Sequence, residues 1–194
     1  MEENHKAEMT EESGGDKLLR RLRSIRRTLI SWVVVLVVIV LINVYIGRLV
    51  RVDGHSMDPN LSHGQLLIMD KITYRFRAPK RNEIVIFPHG DKLFIKRVIG
   101  LPGETVQIRD GQFYINGQLL ADKYGKEPIA QTMYGRAVHE VRLGADEYFC
   151  VGDNRNHSGD SRLDSVGNVH RDDIRGRAIF RLTPFREIGG LKYD

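Results

Sequence analysis

Cysteine is nearly absent from this chain. Cys150 is the only one in 194 residues, so no disulfide can close within it. Its setting, Glu147-Tyr148-Phe149-Cys150-Val151, makes it a small core hydrophobe rather than a catalytic thiol, since no base candidate lies beside it. Charge is missing from one long run: residues 28–47, TLISWVVVLVVIVLINVYIG, carry none. Beyond that run there is no sustained helical periodicity and no internal repeat. Nor is there a basic stripe with interleaved aromatics, which argues against nucleic acid as a partner.

What is present begins with that uncharged run. Twenty residues rising about 1.5 Å each span about 30 Å, the thickness of a bilayer's hydrocarbon core. Trp32 and Tyr45 sit near its two ends, where amphipathic rings favour headgroups. A buried core helix is the alternative, but β-branched residues this dense without any polar face suit lipid better, and a cleavable leader would have a shorter apolar stretch and a small-residue exit in place of Asn43-Val44-Tyr45-Ile46-Gly47. An uncleaved anchor over 28–47 is therefore expected. Lys17, Arg20, Arg21, Arg23, Arg26 and Arg27 precede it, against Arg48 and Arg51 after it. This bias places residues 1–27 in the cytoplasm and 48–194 on the outer face of the cell membrane, as a single-pass protein. The first sixteen residues, polar, acidic and aperiodic, are expected to be disordered.

Residues 48–194 suffice for one domain with its own core. They hold 23 Lys and Arg against 19 Asp and Glu, a mild excess that suits anionic lipid heads. Strands are expected at 65–70, 83–88, 93–99, 105–109, 112–115, 138–143, 148–151 and 178–182, each rich in Val, Ile, Phe or Tyr. Asp110-Gly111 and Asn116-Gly117 are hairpin signals between them. The stretch 124–136, polar with Gly and Pro, reads as a long surface loop. The expected class is mainly β, an all-β sheet or barrel-like domain after one transmembrane helix.

Two residues carry candidate chemistry. Ser56 lies in Gly54-His55-Ser56-Met57-Asp58-Pro59, where a turn-rich backbone can present a hydroxyl. The plain alternative is that Ser56 only initiates a turn with Asp58-Pro59. Lys96 lies in Leu93-Phe94-Ile95-Lys96-Arg97-Val98-Ile99. On a strand it shares a face with Phe94 and Val98, while Arg97 faces the other way with Ile95 and Ile99. A free lysine, with a pKa of about 10.4, is about 0.1% neutral near pH 7.5, but burial can lower that pKa by about 3–5 units. A desolvated Lys96 could then serve as general base for a serine hydroxyl. An edge-strand lysine that snorkels to water is the alternative.

The third cluster is Gly152-Asp153-Asn154-Arg155-Asn156-His157-Ser158-Gly159-Asp160-Ser161-Arg162, a dense polar set directly after an apolar strand. A calcium loop is disfavoured because Arg155 and His157 occupy the third and fifth ligand positions. A triad of Ser56, His157 and Asp160 is a further alternative, whereas the adjacent His55 has difficulty reaching the hydroxyl.

These three stretches resemble bacterial type I signal peptidases of the Gram-positive-like kind. The likeness is carried by Ser56-Met57-x-Pro59, by Lys96-Arg97-Val98-Ile99-Gly100-Leu101-Pro102-Gly103-Glu104, and by Gly152-Asp153-Asn154-Arg155 followed by Ser158, Asp160, Ser161 and Arg162. It implies a signal-peptidase-like β domain with Ser56 as nucleophile and Lys96 as base. Ser158 would orient the amine, and Asp153, Asp160 and Arg162 would form a salt-bridge network, with Arg97 as a further member. The Ser56 N–H would supply one oxyanion donor. Some members carry a serine two residues before the nucleophile as the second donor, and here that position is Gly54. A backbone group or water must stand in, and one lost donor can cost about 3 kcal/mol. Asn60 stands where many members have threonine.

The implied substrates are secretory preproteins with signal peptides, cleaved after small-x-small motifs through an acyl-enzyme. Such segments would bind along an edge strand. The bilayer and the export machinery are the other implied partners, and no cofactor or metal is required. Two rivals remain at this level. One is a self-cleaving Ser-Lys peptidase of the SOS-repressor kind, whose DNA-binding domain is replaced here by the apolar run. The other is a membrane-tethered binding module in which Lys96 is structural.

Overall fold

A 28-residue helix, α1 (Gly14–Leu41), precedes a body built almost wholly of antiparallel strands. The computed structural model describes residues 14–41, 47–191 and 193. The chain divides into two units, one ending at Val44 and the other running from Tyr45.

α1 starts well before the apolar run. Lys17, Arg20, Arg21 and Arg23 alternate with Leu18, Leu19 and Leu22, all good helix formers, so the helix extends back to Gly14, into the last residues of the stretch 1–16 expected to be disordered. Residues 1–13 of that stretch lie outside the described residues. The uncharged part of α1 covers 28–41, about 21 Å of helix. Residues 42–46 of the expected span are likewise outside the described residues, and Gly47 already belongs to a strand. Among the described residues no helix is long and apolar enough to cross a membrane.

In the second unit the strands are β1 (Gly47–Arg51), β2 (Leu66–Asp70), β3 (Ile84–His89), β4 (Lys92–Gly100), β5 (Thr105–Arg109) and β6 (Gln112–Ile115). They continue as β7 (Gln118–Leu119), β8 (Val141–Arg142), β9 (Glu147–Val151), β10 (Val169–His170), β11 (Gly176–Arg181) and β12 (Gly189–Gly190). A one-turn helix, α2 (Thr73–Phe76), links β2 to β3. The larger sheet has the order β1-β2-β11-β3-β4-β9-β10, with β12 on β11, and the smaller one β7-β6-β5-β8. The mainly β expectation holds, in two open sheets rather than a closed barrel.

All eight expected strands are present. The two hairpin signals are used as read: Asp110-Gly111 joins Arg109 to its partner Gln112, and Asn116-Gly117 joins Ile115 to Gln118. All four turn residues have positive φ, the geometry that two-residue hairpins require.

β3 and β4 are buried on both faces. Ile84, Ile86 and Ile95 pack with Val50, Leu67 and Met69 on one side. Val85, Phe87 and Val98 pack with Tyr148 and Cys150 on the other. Two-sided burial explains why these strands read as near-continuous apolar runs. Gly100 ends β4 against the smaller sheet, where a Cβ would come within 2.5 Å of Val106 and 2.7 Å of Leu143. A side chain there would wedge the two layers apart.

The segment 124–136 is not a free surface loop. Ile129 and Tyr134 are buried in the smaller sheet's core, and Gly111 N–H donates to the Tyr134 hydroxyl at 2.6 Å. Its polar, Gly- and Pro-bearing composition hid two apolar anchors. Phe113, 1% exposed, is one of two fully buried phenylalanines in that core. Truncating it (Phe113→Ala) should lower the unfolding free energy by about 3–5 kcal/mol, measurable by urea denaturation.

Candidate active site

The segment carrying Ser56 is an excursion from β1 to β2, closed at its base. Val52 N–H donates to Gln65 O at 2.8 Å and Gly64 N–H to Val52 O at 2.9 Å. Its far side is fixed by Met57 and Leu61, both fully buried in the core beneath β1 and β2. Ser56 is thereby held between a buried Met57 and an exposed His55. Residue 54 has φ +99°, open to glycine and strained for other residues.

Lys96 projects from β4 opposite Val85 of β3, on the face of Phe94 and Val98 that strand parity indicates. It is 3% exposed, so it does not snorkel. Its Nζ lies 2.7 Å from Ser56 Oγ and donates to Ser158 Oγ at 3.1 Å. Burial is the main force on the amine and lowers its pKa to about 8, with Arg162 adding to the effect and Asp160 opposing it. At that value about a quarter of the amines are neutral near pH 7.5.

Among the described residues no carboxylate forms an ion pair with Lys96, because each nearby one is committed elsewhere. Arg97 grips Asp153 with two bonds of 2.7 and 2.6 Å, and both side chains are essentially inaccessible. Its third nitrogen donates to Asn82 O, and its plane lies over Tyr124 with 3.5 Å to the ring centroid. Arg162 binds Asp160 through two 2.8 Å bonds and also donates to Met133 O and Arg155 O. Burial alone would raise the Asp160 pKa, but the Arg162 bonds and the Gly152 N–H outweigh it and hold the carboxyl below its usual range. The expected network is thus built on two bidentate pairs, Arg97–Asp153 and Arg162–Asp160.

This arrangement excludes a calcium loop over 153–162, since both carboxylates are saturated by guanidinium groups. It also separates the histidines from the hydroxyl's base position. His157 Nδ1 faces Asn154 Oδ1 at 3.3 Å, and His55 Nδ1 faces Asp58 Oδ2 at 2.9 Å. Cys150 is fully buried, and that burial pushes its thiol pKa up, away from nucleophilic use. Among the described residues no group of three or more His, Cys, Asp or Glu side chains is placed to hold a metal ion.

Three residues matter here to which the sequence assigned no role of their own. Asn154 clamps the Ser56 segment, its side chain donating to His55 O and its N–H to Ser56 O, each at 3.0 Å. Because a trans peptide sets N–H opposite C=O, this clamp aims the Ser56 N–H away from Asn154. That N–H has no partner among the described residues. Asn60 donates to Asp153 Oδ2 at 2.9 Å, tying the excursion to the Arg97 pair. Gly152 has no room for a Cβ, which would collide with Ser158 Oγ and Ser56 O. The Gly54 N–H is already engaged, donating to His63 Nδ1 at 3.0 Å.

Ser56 and Lys96 open onto a groove of about 640 Å³. One wall is β1, the free edge of the larger sheet, and the other is residues 91–96. β4 pairs with β9 only from Arg97 onward, so the edge of Lys92–Lys96 facing away from β3 is unpaired among the described residues. Two open strand edges therefore flank the serine.

Comparison with known proteins gives concordant matches. A family model described as "Signal peptidase, peptidase S26" matches residues 25–183. "Probable signal peptidase I-2" of Synechocystis is 38% identical over 161 residues, covering 79% of this chain and 71% of that protein. "Signal peptidase I" of Bacillus licheniformis is 33% identical over 191 residues, covering 93% of this chain and 98% of that protein. The crystal structure of a signal peptidase I from Enterococcus faecalis is 34% identical, covering 52% of this chain and 97% of its own, with a TM-score of 0.44.

The lowered Lys96 pKa has a cost in stability. Between about 8 and 10.5 the folded chain holds fewer protons than the unfolded one, so stability rises with pH across that window and is lower beneath it. Lys96→Met should therefore raise the unfolding free energy at neutral pH by about 1–3 kcal/mol. The gain should vanish above pH 10.5, where wild-type Lys96 is neutral in both states. Urea titrations of both proteins at the two pH values would show this, and a less stable Met variant at neutral pH would contradict a desolvated, unpaired amine.

Proposed function

The chain belongs to the signal peptidase family, peptidase S26, and on that premise we propose that it cleaves its substrates through a Ser56–Lys96 dyad. It is a serine endopeptidase that removes signal peptides from preproteins. The observation that carries the dyad is the 2.7 Å approach of Ser56 Oγ to an amine whose pKa is about 8. Neutral Lys96 takes the Ser56 proton as Oγ attacks the scissile carbonyl. The negative charge that forms on the carbonyl oxygen is met by the free Ser56 N–H. Protonated Lys96 then returns its proton to the leaving amine. In the second half it deprotonates a water that hydrolyses the acyl-enzyme.

Ser158 receives one of the amine's hydrogens and leaves its lone pair directed at Ser56. Arg97–Asp153 and Arg162–Asp160 hold the surrounding strands while keeping both carboxylates from neutralising the base. Gly54 leaves the second oxyanion donor to water, because its own N–H is engaged by His63. The cleaved segment lies extended in the groove, pairing with the edges of β1 and residues 92–96, and small side chains precede the scissile bond.

The same reading covers membrane placement. The expected span from residue 28, stopping short of β1 at Gly47, is the anchor, 1–27 lie in the cytoplasm, and the β domain works at the outer face on secretory preproteins delivered by the export machinery. Support comes from the basic residues crowding the start of α1 and from the exposed apolar side chains between Leu29 and Val40. The lipid bilayer is then a standing partner. The S26 match sets aside a mere binding module, and the relatives named above are signal peptidases rather than repressors.

The test is cleavage of a preprotein by detergent-solubilised protein, with the new N-terminus sequenced. Ser56→Ala and Lys96→Ala should each lower turnover by at least about a thousandfold. Wild-type kcat/KM should rise with pH through an apparent pKa of about 8, as Lys96 loses its proton. Substantial turnover by the Lys96 variant, or a profile flat from pH 6 to 10, would defeat the dyad.

A further inference from the structure

The excursion that carries Ser56 is pinned at its base by the two bonds between Val52 and residues 64–65, and at His55 and Ser56 themselves by Asn154. Between those points one hydrogen bond holds the backbone: Gly54 N–H to His63 Nδ1, 3.0 Å. Packing does not help there, since a Cβ on Gly54 would find nothing within 4 Å. Gly54 is also at φ +99°, so nothing local restrains it apart from this bond. The bond requires Nδ1 as an acceptor, and therefore an imidazole that carries its hydrogen on Nε2.

We propose that His63 is a positioning residue for the nucleophile segment, holding Ser56 in register through Gly54 and releasing it when Nδ1 takes a proton. A protonated Nδ1 would set one donor against another at Gly54. It would instead find Asp53 Oδ1, already 3.7 Å away, and the ring would swing from the backbone it supports. The charged and titratable groups around the ring favour that swing unevenly. His55 stacks at 5.7 Å between centroids and is itself held by Asp58. The Arg51 guanidinium lies beside Gly64 on the β1 side. Across the shallow pocket of residues 62–65 sits Glu187, occupied by Arg181 and Gln65. Asp53 is thus the acceptor nearest to a protonated His63.

This inference rests on Ser56 as nucleophile and Lys96 as base, and the experiment separates the two. Preprotein cleavage is followed from about pH 5.5 to 9.5 for the wild type, His63→Asn and His63→Ala, with thermal unfolding as a folding control. Asn Oδ1 occupies the place of Nδ1, accepts the same bond and does not titrate. Wild-type kcat/KM should fall along a one-proton line below about pH 8. It should then drop a further five- to tenfold, approximately, toward the acidic end of the range, where Nδ1 takes up a proton. His63→Asn should stay on the one-proton line, within about threefold of wild type at high pH. His63→Ala should lie about five- to tenfold low at every pH, in kcat with KM little changed. The His55→Gln profile should keep the wild-type shape. If His63→Asn shows the same extra drop as wild type, if wild type shows none, or if the drop follows His55, the proposal is overturned. Loss of the limb near pH 8 alone would count against Lys96, while the difference between wild type and His63→Asn would still decide the role of His63.

Discussion

The site depends on keeping one amine dry and unneutralised. A buried lysine beside a carboxylate would form an ion pair, keep its proton and be useless as a base near neutrality. Here two aspartates lie close enough to act on Lys96 electrostatically, yet each is held by its own arginine through paired bonds. Breaking either pair would strand a buried charge, at a cost of about 3–5 kcal/mol. The arginines therefore work on the lysine indirectly, by keeping acidic groups away from it. That division also explains why the polar cluster needs so many members: each buried charge requires its own partner before Lys96 can go without one.

Much of this was legible in the sequence, for local reasons. Hairpin dipeptides act through their own φ values, so Asp110-Gly111 and Asn116-Gly117 specified two turns and a register. Strand alternation put Lys96 with Phe94 and Val98, and the structure places all three on one face. What stayed hidden depends on pairings between distant residues. Asn154 reaches His55 across 99 positions, and Asn60 reaches Asp153 across 93, distances set by sheet order rather than local pattern. β1 was missed because Gly47–Arg51 abuts the apolar run and is too short to show its own period. The two-residue strands β7, β8, β10 and β12 carry no period at all, and only the broader stretch 138–143 hinted at one of them.

The N-terminal helix teaches a different lesson. Its basic first half was read only for orientation, and the polar residues up to Asp16 as disordered. Yet lysine, arginine and leucine are strong helix formers, and intrinsic propensity carried α1 back to Gly14. Charge content and helical order are independent properties of such a stretch.

The two unpaired strand edges beside Ser56 carry a hazard of their own. A free row of backbone donors and acceptors accepts any extended chain, including a second copy of this protein, and such edges nucleate self-association. Both edges here are studded with exposed charge: Arg48 and Arg51 along β1, and Asp91 and Lys92 where β4 begins. Two β1 edges, each bearing Arg48 and Arg51, repel one another when molecules meet, whereas a short segment of small uncharged side chains meets no such barrier. The residues that border the groove can thus keep it empty of the protein's own strands, so that openness to one kind of chain does not become stickiness toward all.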